Sequence, residues 1–235
     1  MGFQITYFFD SLQSGLAYLP RTLFLTGIPL LLGVIVGLFF AAIRVYKIPV
    51  LSRLIGIFVI VYQGIPTVVA LLLFNLIFMM KFNDFSAFFH LPVSAASVDP
   101  IWVGIIVLSL QAITNMSEAY RGAFYAVDLG QYEAGISVGL TKVQTLRRII
   151  LPQLLPVALP TLTNNAVGLV KNSSIVVAIG ITEVLGGASI PGQKTYSFLE
   201  GYIAAAIIYW SITIFLEYGF RRLERYGEKY RRQLA

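Results

Sequence analysis

Two sets of polar side chains in this 235-residue chain are spaced to act together. Gln111, Thr114, Asn115 and Glu118 recur at i, i+3, i+4 and i+7, one face of a helix, within an otherwise apolar run. Thr161, Asn164, Asn165, Gly168 and Asn172 repeat that pattern further on, with Lys171 beside them. Amides both donate and accept hydrogen bonds, so such a stripe suits a zwitterion's carboxylate and ammonium better than a bare ion. Interhelical packing glue, at about 0.6 kcal/mol per bond, is the plainer account of each single amide. A whole stripe of them at membrane depth favours a polar path. Gln63 precedes Gly64-Ile65-Pro66, where Pro66 removes a backbone donor and implies a kink or unwound turn that lines a cavity or merely bends a helix. Glu183 either attracts a cationic group from outside or is a solvated loop charge. Glu118 is a further candidate, for the path or for a gate at its inner end. With no cysteine and the single His90, neither a thiolate nor a histidine-rich metal site is expected, and no cofactor is called for.

The elements that carry these residues belong in a membrane. Hydrophobic residues make up 57% of the chain, charged residues only 12%, and mean hydropathy is +0.80; a soluble domain carries roughly twice that charge. Spanning the hydrocarbon takes roughly 20 apolar residues. Uncharged runs of that kind occur at Thr22–Ile43, Leu54–Met80, Pro100–Ser117 and Ile149–Val170, with a fifth at Gly201–Leu216 that extends to Phe220. The expected fold is therefore an all-α bundle of five transmembrane helices, and the absence of alternating ten-residue segments argues against a β-barrel. Residues 1–20 have no basic n-region and read as an external segment rather than a signal peptide. Residues 21–220 form the transmembrane domain, and 221–235 a basic cytoplasmic tail held by anionic lipid.

Basic residues set the direction. Thirteen of the 17 lie in the connections after spans one and three and after span five, against Arg21, Lys81 and Lys194 on the other side. The positive-inside rule then puts the N-terminus outside and the C-terminus in the cytoplasm of a multi-pass cell-membrane protein. The net charge of +6 is thus topological and gives no reason to expect nucleic acid.

The long cytoplasmic connection, about 121–152, is densely punctuated. Asp128 with Gln131 fits an N-cap and its reciprocal partner, Gly139 a left-handed helix end, and Thr141 with Gln144 a capping box. The second helix would set Val143, Leu146, Ile149 and Ile150 on one side, with Leu151-Pro152 stopping it or turning it into span four. Two short angled helices on the membrane surface follow. Headgroup contact alone would explain an amphipathic loop, but not both capping boxes.

Glu133-Ala134-Gly135, then Gly139, then Ile149-x-Leu151-Pro152 resembles the EAA loop of ABC importer permeases. Glu118-x-x-Arg121-Gly122, Gly130-Gln131-x-Glu133-Ala134 and Lys171-Asn172-Ser173-Ser174 are similar to the polar amino-acid uptake branch, and the likeness runs from about Leu16 to Arg222. Gly135 stands where alanine is usual, Asn172 replaces an acid, and Gln63 replaces an arginine. The resemblance implies a type I importer permease, a transport subunit and not an enzyme. It couples to a cytoplasmic ATP-binding subunit dimer through Glu133, Ala134, Gly135, Gly139, Ile149, Leu151 and Pro152. It implies a second permease subunit, an external substrate-binding protein and an amino-acid substrate, with a leaning towards the cystine-type branch. An ion-gradient-driven secondary amino-acid transporter is the alternative; it calls for an inverted repeat and a midspan carboxylate. Neither is evident in the sequence.

Reporter fusions after Met80 and Ile190 are expected to read outside, and those after Arg53 and Ala235 inside. An inside signal at Ile190 would overturn the five-span topology.

Overall fold

The structure, a computed structural model, describes the fold of residues 3–234 and the side chains of residues 3–128 and 130–225. It is helical throughout, with ten α-helices in chain order among the described residues: α1 Ile5–Ala17, α2 Leu19–Val45, α3 Leu51–Gln63, α4 Thr67–Phe88, α5 Ile101–Ala126, α6 Leu129–Ser137, α7 Lys142–Thr145, α8 Leu151–Asn172, α9 Val184–Thr195 and α10 Phe198–Leu234. The first and last expected spans match α2 and α10, and α5 outruns its apolar core because Glu118 and Arg121 neutralise one another on its surface. The basic tail continues α10 without a break; side chains from Tyr226 on, including Lys229, Arg231 and Arg232, lie outside the described residues, as do Met1 and Gly2.

Two expectations change. The second apolar run is interrupted at the turn expected before Pro66, but so fully that it does not count as one span. It divides at Gly64–Pro66 into a 13-residue α3 and a 22-residue α4, and α4 alone is long and apolar enough to cross a membrane. Four helices pass that test singly, and the pair formed by Lys142–Ile179 and Val184–Thr195, bent by 49°, makes a fifth when the two arms are counted together. The bend follows a tight 3₁₀ stretch, Ser173–Ile179, that ends on the left-handed Gly180. Residues 5–17, to which the sequence reading assigned no helix, form α1. It turns through Tyr18 straight into α2 and packs on α9 and α10, with Ser14 Oγ donating to the Gly187 carbonyl at 2.7 Å.

The closest packing is between α2 and α5. Gly33, Gly37 and Ala41 recur every fourth residue on α2, all buried, facing Ala112, Ile113, Met116 and Ser117 of α5. A Cβ on Gly33 would lie 2.8 Å from both Ala112 Cβ and Met116 Sδ; one on Gly37 would lie 3.1 Å from the Ser117 nitrogen. Small residues at four-residue spacing let two backbones approach where lipid offers no hydrophobic drive for association. Met116 and Tyr120, fully or almost fully buried, continue the contact towards Leu154 on α8. One side of α5 is thereby fixed against α2, which turns its amide stripe towards α3, α4 and α8.

Gly37→Val is expected to lower stability by about 1–3 kcal/mol, the usual cost of overpacking, because it meets backbone that cannot step aside. Gly27→Ala, on the same helix with nothing within 4 Å of the added carbon, is expected to be neutral. Thermal unfolding in detergent compares the two.

Candidate functional site

The break between α3 and α4 is where polar groups converge. Pro66 precedes the first residue of α4, and the Gly64 N–H falls back on the Ile60 and Val61 carbonyls. The opened turn aims side chains at α5. Gln111 donates to Thr67 Oγ1 at 2.8 Å, and Gln63 donates to Asn115 Oδ1 at 3.3 Å. Tyr62 donates to the Val107 carbonyl at 2.8 Å, which fixes the end of α3 on α5. These bonds leave acceptor capacity unused: Gln111 Oε1 is buried without a partner among the described residues.

Three adjoining cavities follow this line. One of about 400 Å3 lies at the break, against Gln63, Pro66, Thr67 and Gln111. A second, about 580 Å3, runs past Gln63, Glu118, Thr161 and Asn165. A narrow one of about 70 Å3 sits between Gln111, Asn164, Asn165, Gly168 and Asn172. Asn115 lines all three. The larger two fall in the size range of small-ligand sites, roughly 300–1,000 Å3. Of the sequence candidates, Gln63, Gln111, Asn115, Glu118, Asn164 and Asn165 therefore share one continuous polar lining. Thr114 borders the cavity at the break but offers no open donor; its hydroxyl turns back to the Gln111 carbonyl at 3.0 Å.

Two candidates stand apart. Lys171 is exposed at the end of α8 and lines none of these cavities. Glu183 is neither a solvated charge nor open to an incoming cation. It is fully buried, and its carboxylate accepts from the Leu185 N–H at 2.8 Å, from Thr22 Oγ1 at 3.0 Å and from the Tyr209 hydroxyl. It caps α9 and ties it to α2 and α10, the kind of satisfied buried acid that only tertiary structure reveals. Glu118 is also paired: it accepts from Arg44 of α2 and from Arg121 at 2.6 and 2.9 Å. That clasp of one carboxylate and two guanidinium groups sits at the edge of the larger cleft, which Glu118 lines. Arg44 was legible only as a topological charge, because its partner lies 74 residues away.

The connection between α5 and α8 has the expected punctuation with three differences. Gly139, at φ +86°, ends α6 in the left-handed conformation. The Leu140 N–H bonds the Gly135 carbonyl and the Gly139 N–H that of Ile136, which closes the helix end in the usual glycine-capped form. Thr141 and Gln144 cap each other reciprocally. Asp128 caps α6 through the Gly130 N–H at 2.7 Å, but Gln131 does not reach back; it accepts instead from Gln153 at 3.2 Å. Nor is there a second separate surface helix. α7 runs through a π-helical turn, Leu146–Ile150, directly into α8, and the irregular turn lies just before Pro152, which can supply no backbone donor. Val143, expected on the apolar side, is 73% exposed, and Thr145 is buried in its place. The reason is Gly135, whose added Cβ would lie 2.6 Å from Thr145 Cγ2. Glycine where alanine is usual is what lets α6 close on α7. Ala134 and the Glu133 carboxylate stay exposed, the latter without a hydrogen bond among the described residues, while Ile149 and Leu151 are half-buried at the root of α8.

Comparison with known proteins agrees with this architecture. Residues 33–226 match the family model described as binding-protein-dependent transport system inner membrane component. The chain is 32% identical to the probable amino-acid ABC transporter permease protein PatM of Vibrio harveyi, over 92% of each chain. It is 31% identical to the L-cystine transport system permease protein TcyL of Bacillus subtilis, over 89% of this chain and 85% of that one. A crystal structure of an amino acid ABC transporter with histidines superposes with a TM-score of 0.77 at 28% identity, covering 96% of this chain and 99% of that chain. An inward-facing MetNI methionine ABC transporter shares the fold, with a TM-score of 0.71 at 16% identity, over 96% of this chain and 99% of that one.

Gly135→Ala is expected to loosen the contact between α6 and α7 and to speed amide hydrogen exchange across residues 129–145. Adding Thr145→Ala, which removes the two nearest atoms and leaves the flexible end of Ile149 at 3.1 Å, is expected to restore protection; failure to do so would mean that some other contact sets the loop.

Proposed function

The chain belongs to the family of inner membrane components of binding-protein-dependent transport systems, and on that premise we propose that it is the permease subunit of an ATP-driven importer of polar amino acids. As a member of this family it is a transport subunit and not an enzyme: it works with an ATP-binding subunit, which hydrolyses ATP, and with a substrate-binding protein. The observation that carries the substrate reading is that Asn115 borders all three polar cavities, flanked by Gln63, Gln111 and Asn165. Neutral amides around a shared space suit a zwitterion, whose two charges each need a partner without a fixed counter-ion in the wall. Relatives described as cystine, arginine and glutamine permeases support the amino-acid class. Cystine, carried by two of the more similar ones, is the first substrate to test.

The proposed cycle uses the same parts. Substrate enters from the outer face, delivered by the binding protein, and passes along the α5–α8 amides with α3 and α4 as the opposing wall. The Arg44–Glu118–Arg121 clasp stands at the inner end and opens as α2 and α5 separate there. ATP-driven closure of the partner acts on the exposed face of α6, around Glu133 and Ala134. The capped end at Gly139 and the Gly135–Thr145 contact keep that knob rigid enough to transmit force, and the unbroken run of α7 through Ile149, Leu151 and Pro152 carries it into α8. With only five spans, a second permease subunit, identical or similar, completes the path. The N-terminus outside and the C-terminus inside follow from the basic residues.

Asn115→Leu keeps similar bulk and removes the hydrogen bonds, so it is expected to cut uptake at least about tenfold, on the scale of one buried polar contact left unmade. Asn164→Leu, which borders only the narrow cavity, is expected to cost less. Both should leave assembly and basal ATPase activity intact. Unchanged uptake of the same amino acids by both variants would reduce the stripes to packing.

A further inference from the structure

A fourth cavity, about 280 Å3, lies apart from the polar path, between the inner ends of α2 and α5 and the first turn of α6. Its walls are Val45, Val127, Ile150 and three aromatic rings, and its remaining lining residues are Asp128 and Glu133. The rings form a connected set. Tyr46 meets Phe124 edge-on at 6.2 Å and 77°, and Tyr132 at 6.1 Å and 47°. Phe124, Val127 and Ile150 are buried, so this part of the cavity is apolar and packed in place. Burial, and then the neighbouring Tyr132 phenol, push the Tyr46 hydroxyl up, so the Tyr46 ring meets a ligand as a neutral phenol. The acids are the opposite. Both are exposed, and neither forms an ion pair among the described residues. Asp128 spends one oxygen on the Gly130 N–H, which leaves the other open.

Aromatic faces attract a cation through the ring quadrupole, most strongly when the site excludes water. Unpaired carboxylates beside them add charge-assisted hydrogen bonds. An apolar wall accepts the alkyl part of the same ligand. We propose that this pocket is a binding site for a small free organic cation, an alkyl ammonium or guanidinium, taken from the cytoplasmic side. Its volume fits a body the size of one amino-acid side chain or a diamine. A bound ligand bridges α6 to α2 and α5, so its occupancy stiffens the loop on which ATP-driven force is proposed to act. Cytoplasmic amines thereby modulate coupling from a place the transported substrate does not occupy. The binding itself does not depend on which substrate is carried.

The test uses agmatine, which carries a guanidinium and an ammonium but no carboxylate, with neutral N-butylurea as control, titrated calorimetrically into the purified full-length permease and into its assembled complex. Agmatine is expected to bind in both preparations, about tenfold or more in preference to N-butylurea. Asp128→Asn retains the helix cap while removing the charge, and Tyr46→Leu removes a ring face at a site already 41% exposed. Each is expected to weaken agmatine about fivefold or more, with unfolding temperature unchanged. Equal affinity for agmatine and N-butylurea, or full agmatine affinity in both variants, would overturn the proposal. Binding that vanishes once the ATPase is docked would overturn it too, by giving the pocket to a basic side chain of that partner.

Discussion

The close approach of α2 and α5 is the constraint from which the remaining geometry follows. Lipid does not drive two apolar helices together, so their contact must come from shape. Gly33, Gly37 and Ala41 provide it by removing side-chain bulk from one stripe of α2, and Met116 and Tyr120 fill the seam from α5. Once that side of α5 is committed, its rotation is fixed, and residues 111, 115 and 118 have one direction left to face. The polar lining is a consequence of an apolar seam on the opposite side of the same helix.

A second helix pair then gives the amides something to enclose. Were the second apolar run continuous, α3 and α4 would present only side chains to α5. The proline-induced break instead places Gln63 and Thr67 opposite Asn115 and Gln111, and these two cross-helix bonds hold a polar space open between apolar surfaces. One end of the bundle is held differently. There Glu183 gathers Thr22, Leu185 and Tyr209 around one buried carboxylate, so that α9, the short arm of the bent helix pair, is tied to α2 and α10. The other end has its own acid, Glu118, between two guanidinium groups. Two carboxylates at opposite ends of the bundle thus have contrasting partners: hydroxyl and backbone donors fix one, and cationic side chains hold the other.

How much of this was legible in the sequence depends on the range of the interaction. The helical period placed Gln111, Asn115, Asn164 and Asn165 on shared faces, and the caps at Thr141 and Gly139 were readable because their partners lie within a turn. The break at Pro66 was readable for the same reason. Glu183 was not, since its hydroxyl partners are 161 and 26 residues away, and an isolated acid after an apolar run looks like a solvated one. The exchange of Val143 for Thr145 on the buried side was hidden because it turns on Gly135, across the bend. The glycine seam of α2 was in principle visible as Gly-x-x-x-Gly, Gly33 to Gly37, a spacing with a known meaning in membranes. The pairing of Arg44 with Glu118 was not, because a basic residue near a span end already has a sufficient explanation in topology.

The central claim is that the amide-lined cavities are the route of a zwitterionic amino acid. The chain has no cysteine, so single cysteines can be placed without altering any other thiol. The most direct measurement is labelling of Asn165→Cys and of Ile106→Cys by a membrane-impermeant thiol reagent in the assembled transporter, with and without the transported amino acid. Asn165 borders the larger cleft, and Ile106 is 51% exposed on α5 outside every cavity described. The account predicts that position 165 is labelled and that the amino acid protects it, while position 106 stays unlabelled in lipid. Labelling at 165 that the transported amino acid leaves unchanged, or equal labelling at both positions, would contradict it.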